Sequence, residues 1–104
     1  MSILHTVSQS PKLKLLESCL NAISDGDAIL FIEDGVYYCH REYLLEKVPD
    51  AVTCFGLRED LMARGLQIDE GSSIESVGYR KFVQLCIKYD KVVSWFKRRP
   101  LLLL

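Results

Sequence analysis

Residues 28–37, AILFIEDGVY, give the strongest indication of the fold of this chain. Its first five residues form an unbroken apolar run, which is typical of a strand covered on both faces, as in a parallel sheet. Glu33, Asp34 and Gly35 follow at once and predict a turn where that strand ends. We therefore expect this strand to lie inside a parallel sheet that has helices packed on it.

Apolar segments on either side of this run predict four further strands, at residues 3–7, 52–55, 74–77 and 92–96. Helical patterns separate them, and strands that alternate with helices form a mostly parallel sheet with right-handed crossovers. A chain of 104 residues is one domain by length. We therefore predict a single three-layer α/β domain over residues 1–96, with a sheet of about five strands flanked by helices.

The first helix is predicted from Ser10 to about Ser24. Ser10 is a favourable N-cap, and Pro11 suits the first helical position because its missing N–H would lack a partner there. Gly26 is the expected stop of this helix. Apolar side chains recur along one helical face, at Leu13, Leu16, Leu20 and Ile23.

Three further helices complete the pattern. A short one is expected over about residues 40–47, after extended residues 36–38. The next should end at Gly65, with Leu66 supplying the apolar contact of a Schellman motif. The last helix has a strong apolar stripe, formed by Tyr79, Phe82, Val83, Cys86 and Ile87.

The charge balance argues against broad, non-specific binding of nucleic acid. Thirteen basic and 14 acidic residues give a formal net charge of −1, whereas such binding needs a basic face. The N-terminus lacks the pattern of a signal peptide, and no apolar stretch approaches the ~20 residues that span a bilayer. We therefore expect a cytoplasmic protein that does not itself bind nucleic acid or membrane.

The four cysteines are too far apart in sequence to form a C-x-x-C pair. In a reducing compartment we expect them to remain free, mostly as small buried hydrophobes, with no metal and no cofactor. Cys54 and Cys86 are expected in the core. Cys39 is expected to be an incidental loop cysteine; the alternative is that His40 beside it lowers the pKa of its thiol.

Cys19 is the candidate for chemistry in the first helix. At 100° per residue it lies roughly 60° from the centre of the apolar face, so it is either part of the core or open to a partner. A sulfur carrier needs an accessible thiolate, which nearby positive charge favours. Glu17, two residues earlier, does not help.

Polar residues near the predicted strand ends offer weaker candidates. His5 is expected to be a hydrogen-bonded structural histidine, since no nucleophile–base pair is apparent. The loop of residues 8–10 could bind an anion at a helix N-terminus, but it lacks the glycines of a phosphate cradle. Glu33 and Asp34 are expected to be solvated turn residues rather than a metal or phospho-acceptor site.

Four segments in a fixed order carry a family resemblance. They are ILHTVSQSP (3–11), AILFIEDGVY (28–37), LREDLMARGL (57–66), and YRKFVQL followed by VVSW (79–85 and 92–95). Together they resemble the TusB/DsrH family of small sulfur-relay subunits over nearly the whole chain. The resemblance implies a DsrEFH-like α/β fold.

The resemblance also implies a function and partners. It implies a heterohexamer with TusC/DsrF-like and TusD/DsrE-like subunits, which passes persulfide sulfur toward a TusE-type acceptor for 2-thiolation of the tRNA wobble uridine. The principal carrier cysteine belongs to the TusD/DsrE-like subunit, so this chain is expected to be an accessory, non-catalytic subunit of a sulfurtransferase complex. Residues 16–20, LESCL, match the context of a cysteine in the DsrH branch, which makes Cys19 a candidate persulfide cysteine.

Two other functions stay open at this point. A DsrH-type subunit of bacterial intracellular sulfur oxidation would have the same fold and assembly, and the LESCL segment favours that branch. A stand-alone α/β binding domain with no sulfur role would be a stable monomer. A complex subunit instead needs exposed apolar surface, for which Tyr37, Tyr38, Trp95 and the tail KRRPLLLL (97–104) are candidates. We treat residues 97–104 as a separate tail, either untethered or docked on a partner.

Overall fold

Strands and helices alternate along the chain, as the pattern predicts. A computed structural model describes residues 1–40 and 46–96. The strands are β1 (Ile3–Val7), β2 (Ala28–Phe31), β3 (Thr53–Leu57), β4 (Ile74–Val77) and β5 (Lys91–Trp95), and the helices are α1 (Leu15–Ala22), α2 (Tyr37–His40), α3 (Arg58–Ala63) and α4 (Tyr79–Lys88). Two short 3₁₀ turns, Pro11–Leu13 and Glu33–Val36, precede α1 and α2.

The five strands form one sheet in the order β4-β3-β2-β1-β5. All four neighbouring pairs are parallel, which confirms the predicted parallel sheet. The apolar run that begins at Ala28 lies in the middle strand, where its four residues are fully buried. Burial on both faces explains why this strand has no alternation of apolar and polar residues.

Two separate cores lie on the two faces of the sheet, so the domain has the expected three layers. The first core contains Leu16 and Cys19 from α1, Tyr38 and Cys39 from α2, and Leu61 from α3. The second core forms around a residue of α4, Leu85, and contains Leu4, Ala28, Leu30, Phe55 and Val77 from the sheet. Among the described helices, α4 alone packs on this second face.

The first helix is interrupted, and the prediction of one helix from Ser10 to Ser24 is wrong. The Ser10 hydroxyl does accept a hydrogen bond from the Lys12 N–H, at 3.1 Å, but it caps the 3₁₀ turn. Lys14 follows with a φ of 56°, a left-handed conformation that separates this turn from α1. The helix then ends at Ala22, and Gly26, with a φ of 89°, belongs to the turn before β2 rather than to the helix end.

The connection after β2 is also helical where an extended chain was expected. The turn Glu33–Val36 continues directly into α2, so residues 36–38 are not extended. Gly35 is the reason that the turn can close, because a Cβ at this position would collide with the carbonyl oxygen of Val7. Helix α2 covers Tyr37–His40, and residues 41–45 of the helix expected over residues 40–47 lie outside the described part of the chain.

The end of α3 confirms the predicted Schellman motif. The Leu66 N–H donates to the carbonyl of Leu61 at 2.9 Å, and the Gly65 N–H donates to the carbonyl of Met62 at 3.1 Å. Gly65 has a φ of 66°, which a residue without a Cβ adopts without strain. The sequence signal at this site is reliable because the motif is closed by residues within one turn of each other.

The stripe predicted on α4 is only partly buried. Phe82 and Cys86 pack against the second core. Tyr79, Val83 and Ile87, spaced four residues apart, form the exposed flank of the helix, with exposed fractions of 54%, 59% and 78%. We call these three residues the α4 flank. Because four-residue spacing keeps them on one side of the helix, this flank leaves a continuous apolar strip facing solvent.

The tail of residues 97–104 lies outside the described residues. Across residues 1–40 and 46–96, no helix is both long enough and apolar enough to cross a membrane.

Candidate functional site

Cys19 points into the first core and is fully buried. The sequence did not decide whether Cys19 faces the core or a partner, and packing of α1 on the sheet places its side chain in the core. Burial, together with nearby Cys54 and Asp27, raises the pKa of the Cys19 thiol to about 12. A thiol with this pKa is ionised to about one part in 10⁵ at pH 7. In the folded chain Cys19 is therefore neither accessible nor ionised.

Two of the other three cysteines are also buried, and only Cys86 is partly exposed. Burial raises the pKa of Cys54, on β3, to about 11. Cys39 is buried on α2, so the prediction that it lies in a loop is wrong. Its sulfur packs close to β3, because a Cβ at Gly56 would lie only 2.7 Å from it. Cys86 is half-buried instead of lying in the core. In the part of the chain that the structure describes, no cluster of residues could hold a metal ion.

A buried polar chain links His5 to two residues far away in sequence. The His5 Nε2 lies 3.0 Å from Oδ2 of Asp27, and its Nδ1 accepts a hydrogen bond from Trp95 Nε1 at 3.1 Å. Because the indole is only a donor, Nδ1 is unprotonated in this arrangement and Nε2 donates to the carboxylate. Both imidazole nitrogens are occupied, which confirms the structural role predicted for His5.

Asp27 is the polar residue that sequence reasoning missed. Its carboxylate also accepts the backbone N–H of Ile3 at 2.9 Å and that of Ser24 at 3.0 Å. Burial alone would raise the pKa of Asp27, but the bonds from His5, Ser24 and Ile3 hold that pKa below its ordinary value. The signal in the sequence was an acidic residue placed directly before the buried strand, where an unpartnered carboxylate is costly.

A cleft of about 620 Å³ opens at the carboxyl end of β1 and β2. Asp34 contributes to its wall and forms an ion pair with Arg64, with an Nη2–Oδ1 distance of 2.9 Å. Ser10 also lines it, with its hydroxyl engaged in the cap described above. The Ser8 hydroxyl donates to the Trp95 carbonyl at 3.4 Å. Since both hydroxyls have partners within the chain, the anion site considered for residues 8–10 receives no support.

The remaining wall of this cleft carries Lys12, Tyr37 and His40, with Pro11 and Leu66. Tyr37 is 39% exposed, as expected for a contact residue, whereas Tyr38 is buried, so the prediction of an exposed Tyr38 is wrong. No nucleophile and base among the described lining residues form a hydrogen-bonded pair. The cleft therefore suits contact with another molecule better than covalent catalysis.

The fold itself matches a solved structure. The solution NMR structure of protein Tm0979 from Thermotoga maritima superposes with a TM-score of 0.60, at 20% identity, over 85% of this chain and 93% of that one. At this identity the match establishes the class of protein, a small parallel α/β domain of this topology.

The sequence matches place the chain within that class. The family model described as "DsrH like protein" matches residues 9–92. Protein TusB of Enterobacter sp. (strain 638) is 36% identical over 97 residues, and Protein TusB of Pectobacterium atrosepticum is 32% identical over 95; each match covers 89% of this chain and all of the relative. The chain belongs to the TusB/DsrH family, and this membership supports a role in sulfur relay.

Proposed function

We propose that this chain is the TusB-type subunit of a cytoplasmic heterohexameric sulfur-relay complex, built with TusC/DsrF-like and TusD/DsrE-like subunits. The complex passes persulfide sulfur toward a TusE-type acceptor for 2-thiolation of the tRNA wobble uridine. The observation that carries this proposal is the full-length similarity to proteins named TusB, at 32–36% identity.

In this proposal the chain contributes assembly rather than the reacting thiol. The acceptor thiolate attacks the outer sulfur of the carrier persulfide, the S–S bond breaks, and the carrier leaves as a thiolate, so the step needs no external oxidant or reductant. A subunit with a buried, un-ionised Cys19 does not supply that thiolate in its folded state. The exposed α4 flank supplies apolar surface of the kind that a partner covers.

The test is affinity purification of the chain from its host, with mass spectrometry of the co-purifying proteins and of tRNA. We expect two similarly small chains in equal amounts, and loss of 2-thiouridine when the gene is deleted. A lone monomer would instead support the stand-alone binding domain. Unchanged 2-thiouridine together with the two companions would support the sulfur-oxidation branch, which the resemblance of residues 16–20 favours.

We also propose Cys19 as the one persulfide candidate of this chain, on the condition that its thiol, which is buried in the isolated chain, becomes accessible in the assembled complex. Packing of α1 on the sheet buries the Cys19 thiol, so we expect Cys19 to react with a thiol reagent only after unfolding. In the folded chain we expect only the half-buried Cys86 to react promptly. In the assembled complex, persulfide on this chain should disappear in Cys19→Ser and persist in Cys86→Ser. Persulfide that survives Cys19→Ser would exclude this role.

A further inference from the structure

A second crevice lies at the carboxyl ends of β3 and β4. The neighbouring strands β3 and β4 are followed by α3 and α4, which pack on opposite faces of the sheet. In open α/β sheets, ligands bind in crevices outside the carboxyl ends of the strands. A cavity of about 500 Å³ occupies this position. We call it the switch crevice; it is separate from the cleft at β1 and β2.

Unneutralised positive charge lines the switch crevice. Arg58, Arg80 and Lys81 contribute to its wall. None of the three forms an ion pair within residues 1–40 and 46–96, whereas Arg64 pairs with two carboxylates. Glu59 and Glu75 also line the crevice, so the five charged groups sum to +1. The crevice thus presents three free cations to an anion, with carboxylates beside them.

Gly78 brings these groups close to the start of α4. A Cβ at Gly78 would collide with the Arg58 guanidinium and would lie 3.4 Å from Oε2 of Glu59. Because Gly78 has no side chain, the Arg58 guanidinium and the Glu59 carboxylate can both lie against the backbone at this position. A side chain at this position would push both groups away from the floor of the crevice.

One oxygen of the Glu59 carboxylate lacks a donor. Its Oε1 is buried and has no hydrogen-bond partner in the described part of the chain. A buried acceptor without a donor is costly, and the other oxygen, Oε2, lies beside Gly78 at the crevice. An anion that contacts Oε2 as well as the three cations needs a proton to donate, because two unprotonated oxyanions repel each other. Among common oxyanions at neutral pH, hydrogen phosphate carries such a proton and sulfate does not.

We propose that the switch crevice binds inorganic phosphate as the hydrogen phosphate ion. Arg58, Arg80 and Lys81 contact its unprotonated oxygens, and Glu59 accepts a hydrogen bond from its P–O–H group. This site is independent of the sulfur-relay proposal, and either one stands if the other fails.

The test is titration of the full chain with sodium phosphate and, at equal ionic strength, with sodium sulfate, followed by backbone amide NMR. We expect saturable shifts centred on residues 78–81, with phosphate bound roughly tenfold more tightly than sulfate because only phosphate can donate to Glu59. Equal binding of the two anions, or no saturable shift, would overturn the proposal.

Matched variants test the assignment of the residues. Lys81→Gln and Lys88→Gln remove one positive charge from the same helix, and only Lys81 lines the crevice. We expect Lys81→Gln to weaken phosphate binding severalfold and Lys88→Gln to leave it unchanged. Glu59→Gln should abolish the preference for phosphate, because an amide can donate to sulfate. Equal effects of the two lysine variants would contradict the assignment.

A third titration, with glycerol 3-phosphate, tests the part played by the P–O–H group. The second pKa of a phosphomonoester is about 6, so most of this ligand has no proton to donate at neutral pH. We expect it to bind more weakly than inorganic phosphate. Equal or tighter binding would overturn the assignment of Glu59.

Discussion

At the scale of single residues, the polar chain Asp27–His5–Trp95 shows how long-range contacts settle the roles of titratable groups. His5 and Trp95 are 90 residues apart in sequence, and their bond forms because β1 and β5 are neighbours in the sheet. The Asp27 carboxylate ties the start of β1 to the segment after α1. This chain is a structural device, since both nitrogens of the imidazole and both oxygens of the carboxylate have partners.

The depressed pKa of Asp27 predicts an acid-sensitive contribution to stability. A carboxyl group whose pKa is lower in the folded state stabilises the fold above its unfolded pKa of about 4, and the contribution is lost as the pH falls toward the folded pKa. We expect Asp27→Asn to lower the free energy of unfolding by about 1.5–3 kcal/mol at pH 7 and by clearly less at pH 3. Urea denaturation at the two pH values measures this difference.

The control for this prediction is Asp25→Asn, because Asp25 is exposed and lies two residues away. It should change the free energy of unfolding by less than about 0.5 kcal/mol at either pH. A destabilisation by Asp27→Asn that is the same at pH 7 and pH 3 would contradict the proposed ionic role.

At the scale of elements, turns closed by local hydrogen bonds follow the sequence, and turns closed by distant backbone do not. The Schellman end of α3 needs only Leu61 to Leu66. The turn Glu33–Val36 instead passes so close to β1 that Gly35 contacts the Val7 carbonyl, 28 residues away in sequence. The sequence marks Gly35 and Gly65 as turn residues. Only the packed structure shows that Gly65 is needed for its positive φ, whereas Gly35 is needed because a Cβ has no space there.

This difference predicts unequal costs for two glycine substitutions. Gly35→Ala should lower the free energy of unfolding by roughly 2–3 kcal/mol, because the new methyl group meets rigid backbone. Gly71→Ala should cost only about 1 kcal/mol, since its Cβ meets nothing within 4 Å and the loss comes from a φ of 84° alone. Chemical denaturation of both variants gives the comparison, and equal losses would show that the contact with Val7 is not limiting.

At the scale of the whole molecule, the two faces of the sheet are covered unequally. Three of the described helices pack on one face and α4 packs on the other. The α4 flank stays exposed beside the core that α4 covers, and Val92 and Phe96, at 41% and 61% exposure, add apolar surface on and after β5. Such surface suits a subunit that is covered in an assembly.

The exposed flank predicts a variant that separates assembly from folding. Val83→Lys should abolish or strongly reduce recovery of the co-purifying subunits, because a charge in an apolar contact is costly to bury. Its melting temperature as an isolated chain should hardly change, since Val83 is already exposed. Gln84→Lys adds the same charge on the neighbouring, polar position and should retain the partners. Normal recovery with Val83→Lys would place the interface elsewhere.

The parallel α/β class, the order of the elements, the Schellman end of α3 and the family of the chain can all be predicted from the linear pattern of residues. These features depend on local periodicity, on residues within one helical turn, or on segment order, all of which a linear pattern records. Only the tertiary structure decided that Lys14 interrupts the first helix, that Cys19 and Cys39 face the core, and that Asp27 is the partner of His5. Those outcomes depend on which elements become neighbours in space, because burial and long-range hydrogen bonds exist only after the sheet has formed.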